Sequence, residues 1–227
     1  MDRQYTDRRA AGRLLAKALE EHHLPQDALV LGLARGGIPV AYEVAGALGL
    51  ELEVFTVRKL GAPGHPELAM GAIASGGVRV LNQEVVDSLR IAPADIERVA
   101  ASERIELERR ERAYRGQRPA LDLRGRPVVL VDDGLATGAS MRAAVEAVRR
   151  MGAARVVVGA PVAAPETCQE LMQAFAGLEC VCPFTPSPFH AVGLWYREFH
   201  PTSDDEVRDL LDVAAAHRAS RNDGPSA

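Results

Sequence analysis

Asp132 and Asp133 stand side by side after the apolar run Val128-Val129-Leu130-Val131. The stretch that follows them, Gly134-Leu135-Ala136-Thr137-Gly138-Ala139-Ser140, is made of small residues and hydroxyls. Gly138 and the alanines keep bulk away, so backbone N–H groups can wrap an anion, and Thr137 and Ser140 add hydroxyl donors. Where such a loop opens a helix, the unpaired N–H groups and the helix dipole favour a phosphate. Each charge-assisted hydrogen bond of this kind contributes roughly 1.5–3 kcal/mol. The adjacent carboxylates cannot share that phosphate, because like charges repel. They suit ribose hydroxyls, or a magnesium ion held directly or through its waters. Phosphate donors beside paired carboxylates describe a pocket for a sugar phosphate.

Two further stretches carry cations beside glycines. Ala34-Arg35-Gly36-Gly37 interrupts a buried apolar run, its glycines permitting close backbone approach or positive φ and Arg35 offering a planar fork that matches phosphate. Arg58-Lys59 precedes a loop containing Gly61, Pro63, Gly64 and Pro66. Cations at the base of a Gly/Pro-rich loop suit a lid over an anionic substrate, or an exposed hairpin with solvated charges. His65 in that loop reads as polar surface. Competing motifs lack their partners. A P-loop NTPase would need Gly-x-x-x-x-Gly-Lys-Ser/Thr, which does not occur. A phospho-acceptor receiver would not have the Thr-Gly-Ala-Ser loop. Gly32-x-Ala34-x-x-Gly37 mimics a dinucleotide fingerprint only loosely, without the acid that should end a second strand.

The stretch 128–140 resembles the signature of the type I phosphoribosyltransferases, which bind phosphoribosyl pyrophosphate (PRPP). In that family an apolar run ends in two acids and the loop closes with Thr-Gly-x-Ser/Thr. Gly134 departs from the pattern, standing where the family usually has a branched aliphatic residue. Tyr5-x-Asp7-Arg8-x-x-Ala11-Gly12-x-x-Leu15-Ala16 is similar to the opening of a bacterial subgroup of phosphoribosyltransferases. The resemblance implies a magnesium-dependent transfer of ribose 5-phosphate from PRPP to a nitrogenous base, with a PRPP-sensing protein without transfer as the alternative.

By the same resemblance, Asp132 and Asp133 are the catalytic acids and metal ligands, and residues 134–140 form the 5′-phosphate loop. Residues 34–37 form the pyrophosphate loop, with a cis peptide at Ala34–Arg35. Arg35 and Lys59 act on the pyrophosphate, and Arg58 and Lys59 sit on a flexible loop. A C-terminal hood would select the base, with Trp195 and Tyr196 either stacking on it or forming the hood's own core. A homodimer is implied.

The elements needed to position these residues are legible. Strands are expected at 28–33, 51–58, 69–74, 78–81, 128–131, 155–160 and 178–182. Helices are expected at 5–23, capped by Thr6, and at 38–48, 83–89, 93–115, 141–150, 165–175 and 204–217, the last capped by Ser203. Arg8 and Arg9 read as a solvated face of the first helix. Gly12 within it costs about 1 kcal/mol relative to Ala unless close packing requires it. The 93–115 helix, dense in both charges, reads as packing or a subunit contact.

The β-α-β alternation predicts a three-layer α/β/α fold with a mostly parallel sheet. It is read as one domain over residues 1–218, with a core over 25–182, a helical insertion over 93–115 and a hood over 183–202. Residues 219–227 are read as a disordered tail.

The composition of the 227 residues agrees with a globular domain: 47% are hydrophobic and 26% charged, and the net charge of -4 gives no basic footprint for nucleic acid. Cys180 and Cys182 read as strand packing, since no further Cys/His cluster completes a zinc site in the sequence. Three cysteines without a secretory leader fit a reducing compartment. No apolar run approaches the ~18–20 residues needed to span a bilayer. Binding to membranes is therefore not expected, and a cytoplasmic location is.

Overall fold

The computed structural model describes residues 5–222. Its main sheet has five parallel strands: β1 (Leu29–Leu33), β2 (Glu51–Phe55), β6 (Pro127–Val131), β7 (Arg155–Gly159) and β8 (Glu179–Val181), in the order β2-β1-β6-β7-β8. Burial on both faces explains why the central strands β1, β6 and β7 are nearly continuous apolar runs, whereas the edge strands β2 and β8 each carry glutamate. Leu29, Leu31, Val128, Leu130, Val156 and Val158 point to one face, into a core with α5 (Ala139–Arg150) and α6 (Pro165–Ala174). Val30, Val129, Val131 and Val157 point to the other, against α1 (Arg8–Glu20), α2 (Gly37–Leu48) and α7 (Asp204–Asn222). Three layers result, as the alternation of elements predicts.

Gly12 is explained by this packing. A Cβ there would lie 2.7 Å from the Val40 carbonyl oxygen and 2.9 Å from Glu43 Cβ, so α1 and α2 approach closely only because the side chain is missing. The first helix starts later than expected. Asp7, not Thr6, is its N-cap, its carboxylate accepting the Ala10 N–H at 2.7 Å. Residues 5 and 6 are instead extended along the hood: Tyr5 N donates to Trp195 O, Arg197 N to Tyr5 O and Glu198 N to Thr6 O.

The expected strand over 51–58 is two strands. The chain leaves the main sheet at Thr56, whose N–H donates to Ser75 Oγ, while Ser75 N–H donates to Thr56 O, both at 2.9 Å. Beyond that crossing, β3 (Val57–Ala62), β4 (His65–Ala74) and β5 (Val78–Leu81) form a separate antiparallel sheet. Leu60, Ala62, Met70 and Ile73 pack with Val86 of the short α3 (Gln83–Ser88) and with Ile96, Ala100 and Leu107 of α4 (Pro93–Arg115). The long charged helix is thus the backing of this second sheet, and its apolar stripe has an occupant.

The hood has its own core, in which Tyr5, Ala11, Val162, Trp195 and Tyr196 are buried together. As expected, α7 is capped by Ser203, whose Oγ accepts the Glu206 N–H at 3.1 Å. It runs to Asn222, beyond the expected end at 217, so that Arg218 reaches Glu51 on β2 at 2.6 Å. Residues 223–227 of the expected tail lie outside the described residues. Among the described residues, no helix is long and apolar enough to cross a membrane.

Candidate functional site

Strand order reverses between β1 and β6. From β1 the chain proceeds outward to β2, and from β6 it proceeds the other way through β7 to β8. In open parallel sheets, the crevice beyond the strand ends at such a point is where ligands bind. Gly32 pairs with Val131 and Val131 with Gly159, so the loops after β1 and β6 leave the sheet side by side. A cleft of about 340 Å³ opens there, lined by Arg8, Ala34, Arg35, Gly36, Asp132, Asp133, Ser140, Phe199 and Thr202, among others.

The glycines of the first loop are dictated by this proximity. A Cβ on Gly37 would lie 2.6 Å from Val131 O and 2.9 Å from Asp132 Cα, and one on Gly36 would collide with the Asp133 carboxylate. The Ala34–Arg35 peptide is cis, as the resemblance implies. Arg35 is exposed at the cleft, its Nη1 3.5 Å from Asp204 Oδ1, which also accepts the Tyr114 hydroxyl at 2.8 Å.

The acids differ in their partners. Asp132 Oδ1 accepts the Asp133 N–H at 2.9 Å, and Asp133 Oδ2 accepts Arg8 Nε at 2.8 Å. Burial pushes both carboxyls above the usual range. For Asp132 the neighbouring charge of Asp133 pushes further the same way, whereas for Asp133 the Arg8 guanidinium pulls back. The expectation that Arg8 is a solvated face is corrected: its side chain is 11% exposed. Arg9 is the exposed one, paired with Glu43 at 2.5 Å. Arg8 was missed because its partner is remote in sequence. Its place one turn before Ala11 and Gly12, on the stripe α1 buries, was the available signal.

The loop after the acids opens α5. Leu135 is pinned by its N–H to Val162 O and by Ala164 N–H to its own carbonyl, both at 2.9 Å, and Thr167 Oγ1 donates to Ala136 O at 2.6 Å. Gly138 has φ 66°, the left-handed conformation glycine adopts without strain, and caps the helix. The helix starts at Ala139 rather than 141, so Ala139 and Ser140 belong to its first turn, whose N–H groups have no partner within the helix. Ala136, Thr137, Ala139 and Ser140 are exposed. Gly134 has a local cause: a Cβ there would lie 2.5 Å from Val192 Cγ1 and 2.9 Å from Val192 Cγ2, so the hood valine occupies the space a branched side chain would fill.

Not every expected residue reaches the cleft. Arg58 is held by Glu103 of α4, with Nε 2.7 Å from Oε2. Lys59 is half-exposed with Nζ 3.4 Å from the Glu67 carbonyl and carboxylate, and it lines a neighbouring space that shares Val57 and Ser140 with the cleft. The open loop expected beyond them is a paired hairpin turning at Pro63 and Gly64, because the apolar positions of β3 and β4 are anchored to α4. Trp195 and Tyr196 are 5% and 1% exposed, which favours the hood-core alternative over base stacking. Trp195 packs on Phe184 at 5.2 Å, and the Tyr196 hydroxyl donates to Asp133 O at 2.6 Å. The aromatic ring that lines the cleft is Phe199, with the Arg8 guanidinium 3.9 Å above it.

Comparison with known proteins gives a consistent result. The family model described as "Phosphoribosyl transferase domain" matches residues 3–181. Proteins named "Putative phosphoribosyl transferase" from two strains of Mycobacterium tuberculosis, CDC 1551 and H37Rv, are 47% identical over 94% of this chain. The chain spans only about half of them, 47% of their length. The crystal structure of TT1426 from Thermus thermophilus superposes with a TM-score of 0.80 at 47% identity, covering 92% of this chain and 97% of that one. With its acid pair at the strand-order reversal and a glycine-rich loop on either side, the chain belongs to the phosphoribosyl transferase domain family.

Proposed function

We propose that this chain binds PRPP and magnesium and transfers ribose 5-phosphate to a nitrogenous base, releasing pyrophosphate. The observation that carries this reading is the placement of Asp132 and Asp133 between two anion-suited loops, residues 34–37 on one side and 134–140 on the other. The exposed first turn of α5, with Thr137 and Ser140, is suited to the 5′-phosphate. Arg35 faces the same cleft and suits the pyrophosphate. Lys59 would join it if the β3–β4 hairpin bends inward from its Glu67 contact.

In the transfer, the bond from the anomeric carbon to the pyrophosphate oxygen breaks and a bond to the base nitrogen forms, through an oxocarbenium-like transition state. The two carboxylates would accept hydrogen bonds from the ribose hydroxyls and stabilise the positive charge developing on the ring. Burial makes their ionised forms costly, so a cationic centre between them is what they are poised to receive. The donor set is hard oxygen and fits a magnesium ion reached through water, held by Asp132 with Asp133 contributing through the oxygen not given to Arg8. Bound there, magnesium would supply positive charge toward the departing pyrophosphate. Preorganised groups of this type are worth ~2.7–4 kcal/mol each. The acting unit is read as a homodimer on family resemblance, which sedimentation equilibrium checks.

Pyrophosphate release from PRPP, assayed across a panel of nucleobases, tests the reading. One base should support turnover, and Asp133→Asn should lower it at least about a hundredfold without unfolding the protein. A second reading, a PRPP-binding regulator without transfer, draws on the Arg8–Asp133 pair, which already neutralises one acid from within the protein. PRPP binding with no pyrophosphate release on any base would select it.

A further inference from the structure

The three cysteines of the chain come together although they are dispersed in sequence. Cys168 lies on α6, Cys180 on β8 and Cys182 just beyond it, and their sulfurs all lie within 4.8 Å of one another. The distances within the cluster are unequal. Cys180 Sγ and Cys182 Sγ are 3.8 Å apart, ordinary nonbonded contact, but Cys168 Sγ and Cys182 Sγ are 2.6 Å apart. A tetrahedral zinc with Zn–S near 2.3 Å would hold each pair of sulfurs about 3.8 Å apart. The first pair matches that edge, and the second would have to open by more than an ångström. A disulfide needs ~2.05 Å, which the second pair reaches by closing about half an ångström. The cluster is thus nearer to a covalent pair with a third thiol beside it than to a metal cage.

We propose that Cys168 and Cys182 form a reversible disulfide on exposure to a hydroperoxide, tying α6 to the end of β8 and bracing the loop over residues 134–140. The chemistry balances without any other co-reactant. The Cys168 thiolate attacks one peroxide oxygen, the O–O bond breaks, and the departing hydroxide takes up the thiol's proton as water. The sulfenic acid so formed is attacked by Cys182, the S–S bond forms, the S–O bond breaks, and a second water leaves. Two thiols lose two electrons and two protons, and hydrogen peroxide becomes two waters. Hydrogen bonds from Cys180 and Cys182 pull the Cys168 thiol down in pKa while Cys182 is pushed up, which fits Cys168 as the nucleophile.

The link to the loop runs through the next residue. Thr167 donates from Oγ1 to Ala136 O at 2.6 Å, and its methyl carbon would be 2.7 Å from a Cβ on Gly138. Fixing α6 at Cys168 therefore fixes the wall against which the loop rests. This inference is independent of what the cleft binds.

The full chain, fully reduced and then treated with equimolar hydrogen peroxide, tests it. Free thiols titrated after denaturation should fall from three to one, peptide mapping should join the segments containing Cys168 and Cys182, and dithiothreitol should restore all three. Amide hydrogen exchange at residues 135–142 should slow in the oxidised form. Cys180→Ser should still form the cross-link, and Cys168→Ala should not. Three persistent thiols, a cross-link between different residues or chains, or unchanged exchange in the loop would overturn the proposal. So would stoichiometric zinc retained by the reduced protein with its thiols shielded from alkylation.

Discussion

Arg8 Nε lies 2.8 Å from Asp133 Oδ2, and the same guanidinium donates to His200 O at 2.7 Å while lying 3.9 Å above the Phe199 ring. One side chain from the first helix thereby joins the acid pair to the hood. The two paired side chains are only 11% and 14% exposed, so solvent does little to screen them. Removing one member of such a pair leaves an uncompensated buried charge, at a cost of about 3 kcal/mol. Arg8→Ala should lose stability of that order in chemical denaturation. The double variant Arg8→Ala/Asp133→Asn should recover part of it, giving a coupling above ~1 kcal/mol. Additive losses would mean that the pair contributes nothing.

Asp132 makes a pH-dependent prediction. Its carboxyl is raised by burial and by Asp133, so the folded protein holds a proton more tightly there than the unfolded chain does. A raised folded value means that stability is present below the ordinary carboxylate range and is lost as pH rises from that range through the folded value. Asp132→Asn removes the loss while keeping an acceptor for the Asp133 N–H. The ligand-free variant should therefore be more stable than the parent at neutral pH, with the advantage shrinking toward acid. Urea denaturation across a pH series checks it. An advantage independent of pH would exclude the titration of Asp132 as its source.

Gly134 and Val192 are complementary. Gly134→Ala should destabilise by about 1–3 kcal/mol, because the added methyl meets Val192 at 2.5 Å and overpacked sites cost this much. Adding Val192→Ala should restore most of the loss. Thermal denaturation of both variants decides whether the hood valine is what selects glycine.

Tyr196 ties the hood to the signature through its hydroxyl and the Asp133 carbonyl, 2.6 Å apart. Tyr196→Phe leaves that partly buried carbonyl without this donor and should cost about 1–3 kcal/mol. No loss of stability would mean that water replaces the hydroxyl without penalty.

The fold was legible where local pattern and tertiary structure agree. The continuous apolar runs of β1, β6 and β7 read as strands buried on both faces, and the structure has them so. The helix over 93–115 is found with the bounds expected of it, from Pro93 to Arg115. The change of sheet at Thr56 was not legible, because residues 51–58 remain strand-like on both sides of the crossing, which is fixed by Ser75 from a distant turn. The acids and both glycine-rich loops announced themselves by composition. Arg8 and Phe199 did not, since their importance depends on contacts between opposite ends of the chain. Trp195 and Tyr196 left the question even: large aromatics suit a ligand surface and a small core equally, and only their burial decides between the two.

The most direct test of the central claim is calorimetric titration of PRPP into the protein with and without magnesium. Saturable binding that requires magnesium, and that is abolished in Asp132→Asn/Asp133→Asn, is the predicted result. No binding under either condition, or binding indifferent to the loss of both acids, would contradict the assignment of the cleft.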